Sequence, residues 1–252
     1  MLKGRRYMNQ IKAGIISEST KLFSRNKYRR LLICIGILVI LIVLFDNFTK
    51  GYSNVSLSNP PLNILSILNI ALIPIISYMA VADLFTLEYK NGSIKAILTR
   101  PISRKNIIIT KMLSVLIYEM SILFTVFILS SILGIALGKT QILSIPKIFL
   151  AYVMSIFPMI PNIFFSILIS QFSKSGFSTI IFSILFFIIL LLSSILIPSI
   201  SSMIFISYVN WYKIFIGVQV SIKMVVGVIV LFIIYSLIFF YGAYVIFKAR
   251  EY

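Results

Sequence analysis

A chain of 252 residues that is 60% hydrophobic and 12% charged has far more apolar surface than one water-soluble core can hide, which excludes an ordinary soluble domain and predicts an all-α, polytopic membrane protein. The formal net charge of +17 does not point to nucleic acid, because the cations flank apolar runs instead of sitting on a folded polar domain. Histidine is absent, which removes the commonest general base and metal ligand, and the single cysteine, Cys34, cannot form an intramolecular disulfide.

Residues 1–30 carry nine cations and one acid, Glu18. Met8, Ile11, Ile15 and Leu22 fall in one narrow helical arc, which predicts a basic interfacial helix on an anionic membrane surface. Gly14 counts against that helix, and a plain positive-inside flank explains the same cations. No small-x-small site follows the first apolar run, so the segment does not read as a cleavable signal.

Residues 31–252 read as a single transmembrane domain. The first span is 31–48, with Tyr28 and Phe48 expected at the membrane interfaces. After a polar loop, the second span covers 62–87, with a kink expected at Pro74. The third is 107–137 and the fourth 147–170, interrupted by Pro158, Pro161 and Asn162. The fifth is 177–198. Residues 199–223 are apolar yet broken by Asn210, Trp211, Lys213 and Gly217, and read as short helices dipping into the outer leaflet with Trp211 and Tyr212 at headgroup level. The sixth span is 224–247. Six spans place both termini on one side, and eighteen cations there against five on the other make that side cytoplasmic.

The one long polar interruption between very apolar segments is 88–111. Asn91-Gly92-Ser93 offers turn chemistry and an N-cap oxygen, after which Ile94, Ile97 and Leu98 share a helical face. Pro101 should stop this short helix, and Ser103 can cap a new one carrying Arg104, Lys105 and Lys111. The expected result is an exposed apolar knob ringed by cations. An ordinary loop with a buried isoleucine pair fits the same pattern.

Gly134 to Thr140 resembles a phosphate-binding loop but has three residues between its glycines instead of four, so no nucleotide site or other cofactor is expected in this chain. Glu119, about two turns inside the third span, is an intramembrane acid and a functional candidate, but a structural role, reaching a neighbouring helix through Lys111 or snorkelling, comes ahead of it; Asn162 is a second intramembrane polar candidate that helix packing also explains. Asp83 and Glu88 bracket the end of the second span, where each could pair with an arginine of the loop.

The Glu18-x-x-Lys21-Leu22 pattern, the six spans, and Glu88-x-x-x-Gly92-Ser93-Ile94-x-x-x-Leu98-x-x-Pro101-Ile102-Ser103-Arg104 followed by Lys111 together resemble the ABC transporter type 2 permease family. The resemblance implies a transport subunit, not an enzyme. Two permease subunits, identical or paired with a sister, would join a cytoplasmic ATPase dimer that holds ATP and Mg. A short helix at 93–99 would sit in a cleft of that ATPase, giving Glu88, Gly92, Ser93, Ile94, Ile97, Leu98, Pro101, Arg104 and Lys111 a coupling role. It also implies a multi-pass cell-membrane protein that exports peptides, drugs, lipids or glycans; an all-apolar path favours an amphiphilic cargo such as an antimicrobial or toxin-like peptide. Two other readings stay open: an ion-coupled secondary carrier using Glu119, and a non-transporting membrane scaffold or sensor.

Overall fold

The computed structural model describes residues 2–48, 59–94, 103–216 and 221–249. It is 89% helical, and no strand occurs among the described residues. The helices are α1 (Leu2–Ser24), α2 (Asn26–Phe48), α3 (Pro60–Lys90), α4 (Arg104–Ala136), α5 (Ile142–Phe172), α6 (Gly176–Leu196) and α7 (Ile222–Ala249). From α2 to α7, six helices are long and apolar enough to cross a membrane, and the chain is a multi-pass membrane protein.

Helix lengths explain where the charges sit. The 33 residues of α4 reach about 50 Å at about 1.5 Å per residue, well beyond a hydrocarbon layer of about 30 Å. Its first turns can therefore carry Arg104, Lys105 and Lys111. Ser103 caps this helix as its sequence predicts, its hydroxyl accepting from the Asn106 amide at 3.4 Å. At the start of α6, Ser175 and Ser178 form a reciprocal capping box.

α3 lies at the centre, packed against α4, α5 and α6, while α7 lies along the second half of α5. Pro74 has no amide hydrogen and its ring crowds the carbonyl four residues back. A π turn at Leu68–Leu72, immediately before it, widens the helix there, and a second π turn follows at Ala82–Thr86.

The fourth span is interrupted at Ser155, ahead of its prolines: one helix ends at Met154 and the next begins at Ile156. Pro158 cannot donate to the Met154 carbonyl, and the Trp211 indole N–H does so instead, at 2.7 Å. That bond corrects the headgroup position expected for Trp211 and Tyr212. They are 2% and 1% exposed, and the Tyr212 hydroxyl donates to the Leu62 carbonyl at 3.1 Å. Between α6 and α7 the chain forms short turns at Pro198–Ser201, Phe205–Tyr208 and Lys213–Ile216.

Tyr28 also departs from its expected interfacial place. It is fully buried, its hydroxyl donating to Asp83 at 2.7 Å and its carbonyl accepting from Tyr118 at 2.9 Å. Arg25 and Lys27 reach the same Asp83 oxygen, each at 3.2 Å, so the start of α2 is drawn inward. Gly14, which weakens α1 as an isolated helix, has a packing reason. A Cβ there would stand 2.9 Å from Thr110 Cγ2, so its absence lets α1 lie close against α4.

Candidate functional site

Four charged side chains from three helices close a ring at the end of the bundle that carries α1. Glu18 gives one oxygen to Lys21 at 2.8 Å and the other to Lys111 at 3.1 Å. Glu88 does the same, at 3.1 Å to Lys21 and 2.7 Å to Lys111. Lys111 is 1% exposed, and its third N–H goes to the Leu84 carbonyl at 2.8 Å, within the second π turn. All three ammonium donors are therefore used, and the ring is neutral in sum.

Sequence spacing explains which residues meet. On α1, Glu18 and Lys21 stand three apart on one face, while Lys111 stands two turns inside α4 on the side that meets α3 and α1. Glu88 and Lys111 also lie on either side of the polar loop, so the ring binds both of its flanks to α1. Among the described residues, Asp83 and Glu88 pair with cations from α1, the junction of α1 and α2, and α4; of the loop arginines expected as partners, Arg100 lies outside the described residues. Lys111 does not reach Glu119: its three donors are spent in the ring.

Burial would raise the Glu18 carboxyl, but Lys111 and Lys21 outweigh it and hold the group below its ordinary 4.5. Burial would lower Lys21, yet Glu18 and Glu88 hold it above 10.5. A depressed carboxyl contributes stability that is present above its unfolded value and lost as pH falls through the folded one; a raised ammonium contributes stability lost only as pH rises through its folded value. Docking of α1 is therefore expected to hold from about pH 4.5 to 10.5 and to weaken in acid. Hydrogen exchange of the α1 amides against pH checks this; protection unchanged to well below the ordinary carboxylate range would contradict it.

The loop's described residues are distributed unevenly. Gly92 has φ +68°, a left-handed turn that favours glycine. Ser93 does not cap a helix with its hydroxyl, which donates back to the Glu88 carbonyl at 3.4 Å. Ile94 corrects the exposed knob: it is 1% exposed and packs into the core, anchoring the start of the loop. Ile97, Leu98 and Pro101 lie outside the described residues. At the start of α4, Arg104 donates to the Phe247 and Lys248 carbonyls, both at 2.8 Å, where cations suit a helix C-terminus. The start of α4 is thus held to α1, α3 and the end of α7.

Deeper in the bundle the structure brings Glu119 and Asn162 into one network, joined by Ser77. Tyr78 donates to the Asn162 carbonyl oxygen at 2.8 Å, the Asn162 amide donates to Ser77 Oγ at 3.3 Å, and the Ser77 hydroxyl meets Glu119 Oε1. Glu119 is fully buried, and its second oxygen has no partner among the described residues. Sequence reasoning missed Tyr78, since a lone tyrosine in an apolar run carries no periodic signal. An apolar groove of about 450 Å³ runs outside this network between α4 and α5, its wall including Phe124, Phe127 and Phe149.

A model of the family described as ABC-2 family transporter protein matches residues 15–189, which takes in the ring, the loop and the buried network. A search of curated proteins finds no match.

Proposed function

Because this chain belongs to the ABC-2 transporter family, we propose that it is the membrane permease subunit of an exporter driven by a separate cytoplasmic ATPase dimer, with the loop 88–111 as the contact between them. The observation that carries the reading is the ring, which ties both flanks of that loop to α1. ATP-driven closure of the partner pushes the loop, and the Lys111 and Arg104 anchors spread the displacement to α1, α3 and α7 as a rigid-body shift. ATP and Mg are held by the ATPase, both termini are cytoplasmic, and the protein works in the cell membrane with a second copy of itself. The cargo is an amphiphile, such as an antimicrobial or toxin-like peptide or a drug; the apolar groove between α4 and α5 supports that class.

The test is coexpression with the ATPase, copurification, and ATP hydrolysis in lipid nanodiscs, with and without Ile97→Asp. The substitution places a charge in the apolar stretch of the loop and is expected to abolish copurification while membrane insertion is kept. Undiminished copurification of the variant sinks the docking assignment.

One observation favours a second reading. The unpartnered, fully buried oxygen of Glu119 is where an ion-coupled carrier would hold its coupling ion. That reading requires transport without ATP hydrolysis.

A further inference from the structure

At the end of the bundle opposite the ring, α3 and the Lys213–Ile216 turn enclose a cleft of about 530 Å³, a volume ordinary for small-molecule sites. Asn59, Asn63 and Lys213 line it, and none of the three side chains has a protein partner among the described residues. Asn59 stands at the N-cap of α3 yet makes no capping bond. Asn63 is one turn further along the same face, and both asparagines line the cleft together with the exposed Lys213.

Other polar groups nearby are partly committed, although the Asn210 side-chain oxygen is buried without a partner among the described residues. Ser66 accepts from the Asn210 amide at 2.9 Å, and Tyr212 donates to the Leu62 carbonyl. The cleft therefore presents two amides, each able to turn its NH2 donors inward, and one positive charge; the charge decides the sign of the ligand and suits a phosphate or carboxylate. Its remaining wall is apolar: Leu62, Ile67 and Ile216. Ile67 is 48% exposed and Ile70, three residues on, is 42% exposed, so this wall continues down the outside of α3 toward the hydrocarbon layer. A free anion would leave that apolar wall unused, whereas a headgroup bearing an alkyl chain covers both parts.

We propose that this cleft binds an anionic phospholipid, with its phosphate between Asn63 and Lys213 and a chain along Ile67 and Ile70. The site stands apart from the transport reading, since it uses neither the loop nor the ring. Trp211, the chain's only tryptophan, lies two residues from Lys213 and serves as the reporter.

The full-length protein is reconstituted into phosphatidylcholine vesicles containing equal fractions of chain-brominated phosphatidylglycerol or chain-brominated phosphatidylcholine, and quenching of Trp211 is compared. The anionic lipid is expected to be enriched at the site about fivefold, the effect of one well-placed cation. Lys213→Gln and Asn63→Leu are each expected to remove most of that preference. Lys147→Gln, the same charge change on an exposed residue at the same end but outside the cleft, is expected to keep it. Equal quenching by the two lipids overturns the site. Equal loss in Lys147→Gln and Lys213→Gln assigns the preference to diffuse charge attraction and likewise overturns it. Reversal by inorganic phosphate at a few-fold excess over the lipid identifies a free-anion site and overturns the lipid assignment.

Discussion

Lys111→Met is expected to destabilise the protein by about 3–5 kcal/mol, the cost of leaving buried charge unpaired. The substitution removes one partner from each of two carboxylates whose side chains are 8% and 7% exposed, and leaves the Leu84 carbonyl without its bond to the ammonium. Lys21 remains, but at 37% exposure it is partly in solvent and cannot compensate for both. Denaturant unfolding in nanodiscs measures the loss. Glu88→Gln alone should cost less, because a neutral amide still accepts from Lys111, and the double variant should cost less than the sum of the two. A Lys111→Met effect under about 1 kcal/mol, the size found for solvent-screened pairs, would remove the ring from the account of the fold. If the ring also transmits the partner's motion, a variant that still assembles with the ATPase should hydrolyse ATP with little transport.

The second large effect is expected in the buried network. Asn162→Leu keeps roughly the volume but takes the acceptor from Tyr78, a fully buried hydroxyl, and a donor from Ser77. An orphaned buried hydroxyl costs about 1–3 kcal/mol. Adding Tyr78→Phe removes the orphan and should recover much of the loss; no recovery would mean that leucine is simply misfitted there. The neighbouring Glu119→Gln keeps an acceptor for Ser77 and, under the proposed function, should leave ATP-driven transport largely intact. Complete loss of transport with normal assembly would instead favour the ion-coupled carrier.

Both predictions involve residues whose presence was readable in the sequence and whose partners were not. Lys111 stands out as a cation after a capped helix start, and Glu18-x-x-Lys21 as a local pair, because spacing along a helix places side chains on faces. That all four charges of the ring close on one another depends on three helices meeting at one depth, which no local periodicity encodes. The same holds for Glu119 and Asn162, joined by a serine that resembles every other small polar residue in the spans.

By itself, the sequence determined the six spans, the capped start of α4 and the polar loop, since apolar run length, Pro, Gly and Ser act within a few residues of themselves. Only the tertiary structure decided what filled the backbone gaps. Pro158 marks an interruption in the chain, but nothing in the sequence says that Trp211 supplies the missing donor to Met154. Gly14 reads as a weakness of α1 until Thr110 of α4 is seen against it. Tyr28, Ile94 and Trp211 were each placed at a surface by their residue type or local pattern, and each is buried because a group distant in sequence lies across from it. Local chemistry sets the elements; the desolvated contacts between them set which polar groups find partners, and those contacts exist only once the helices have packed.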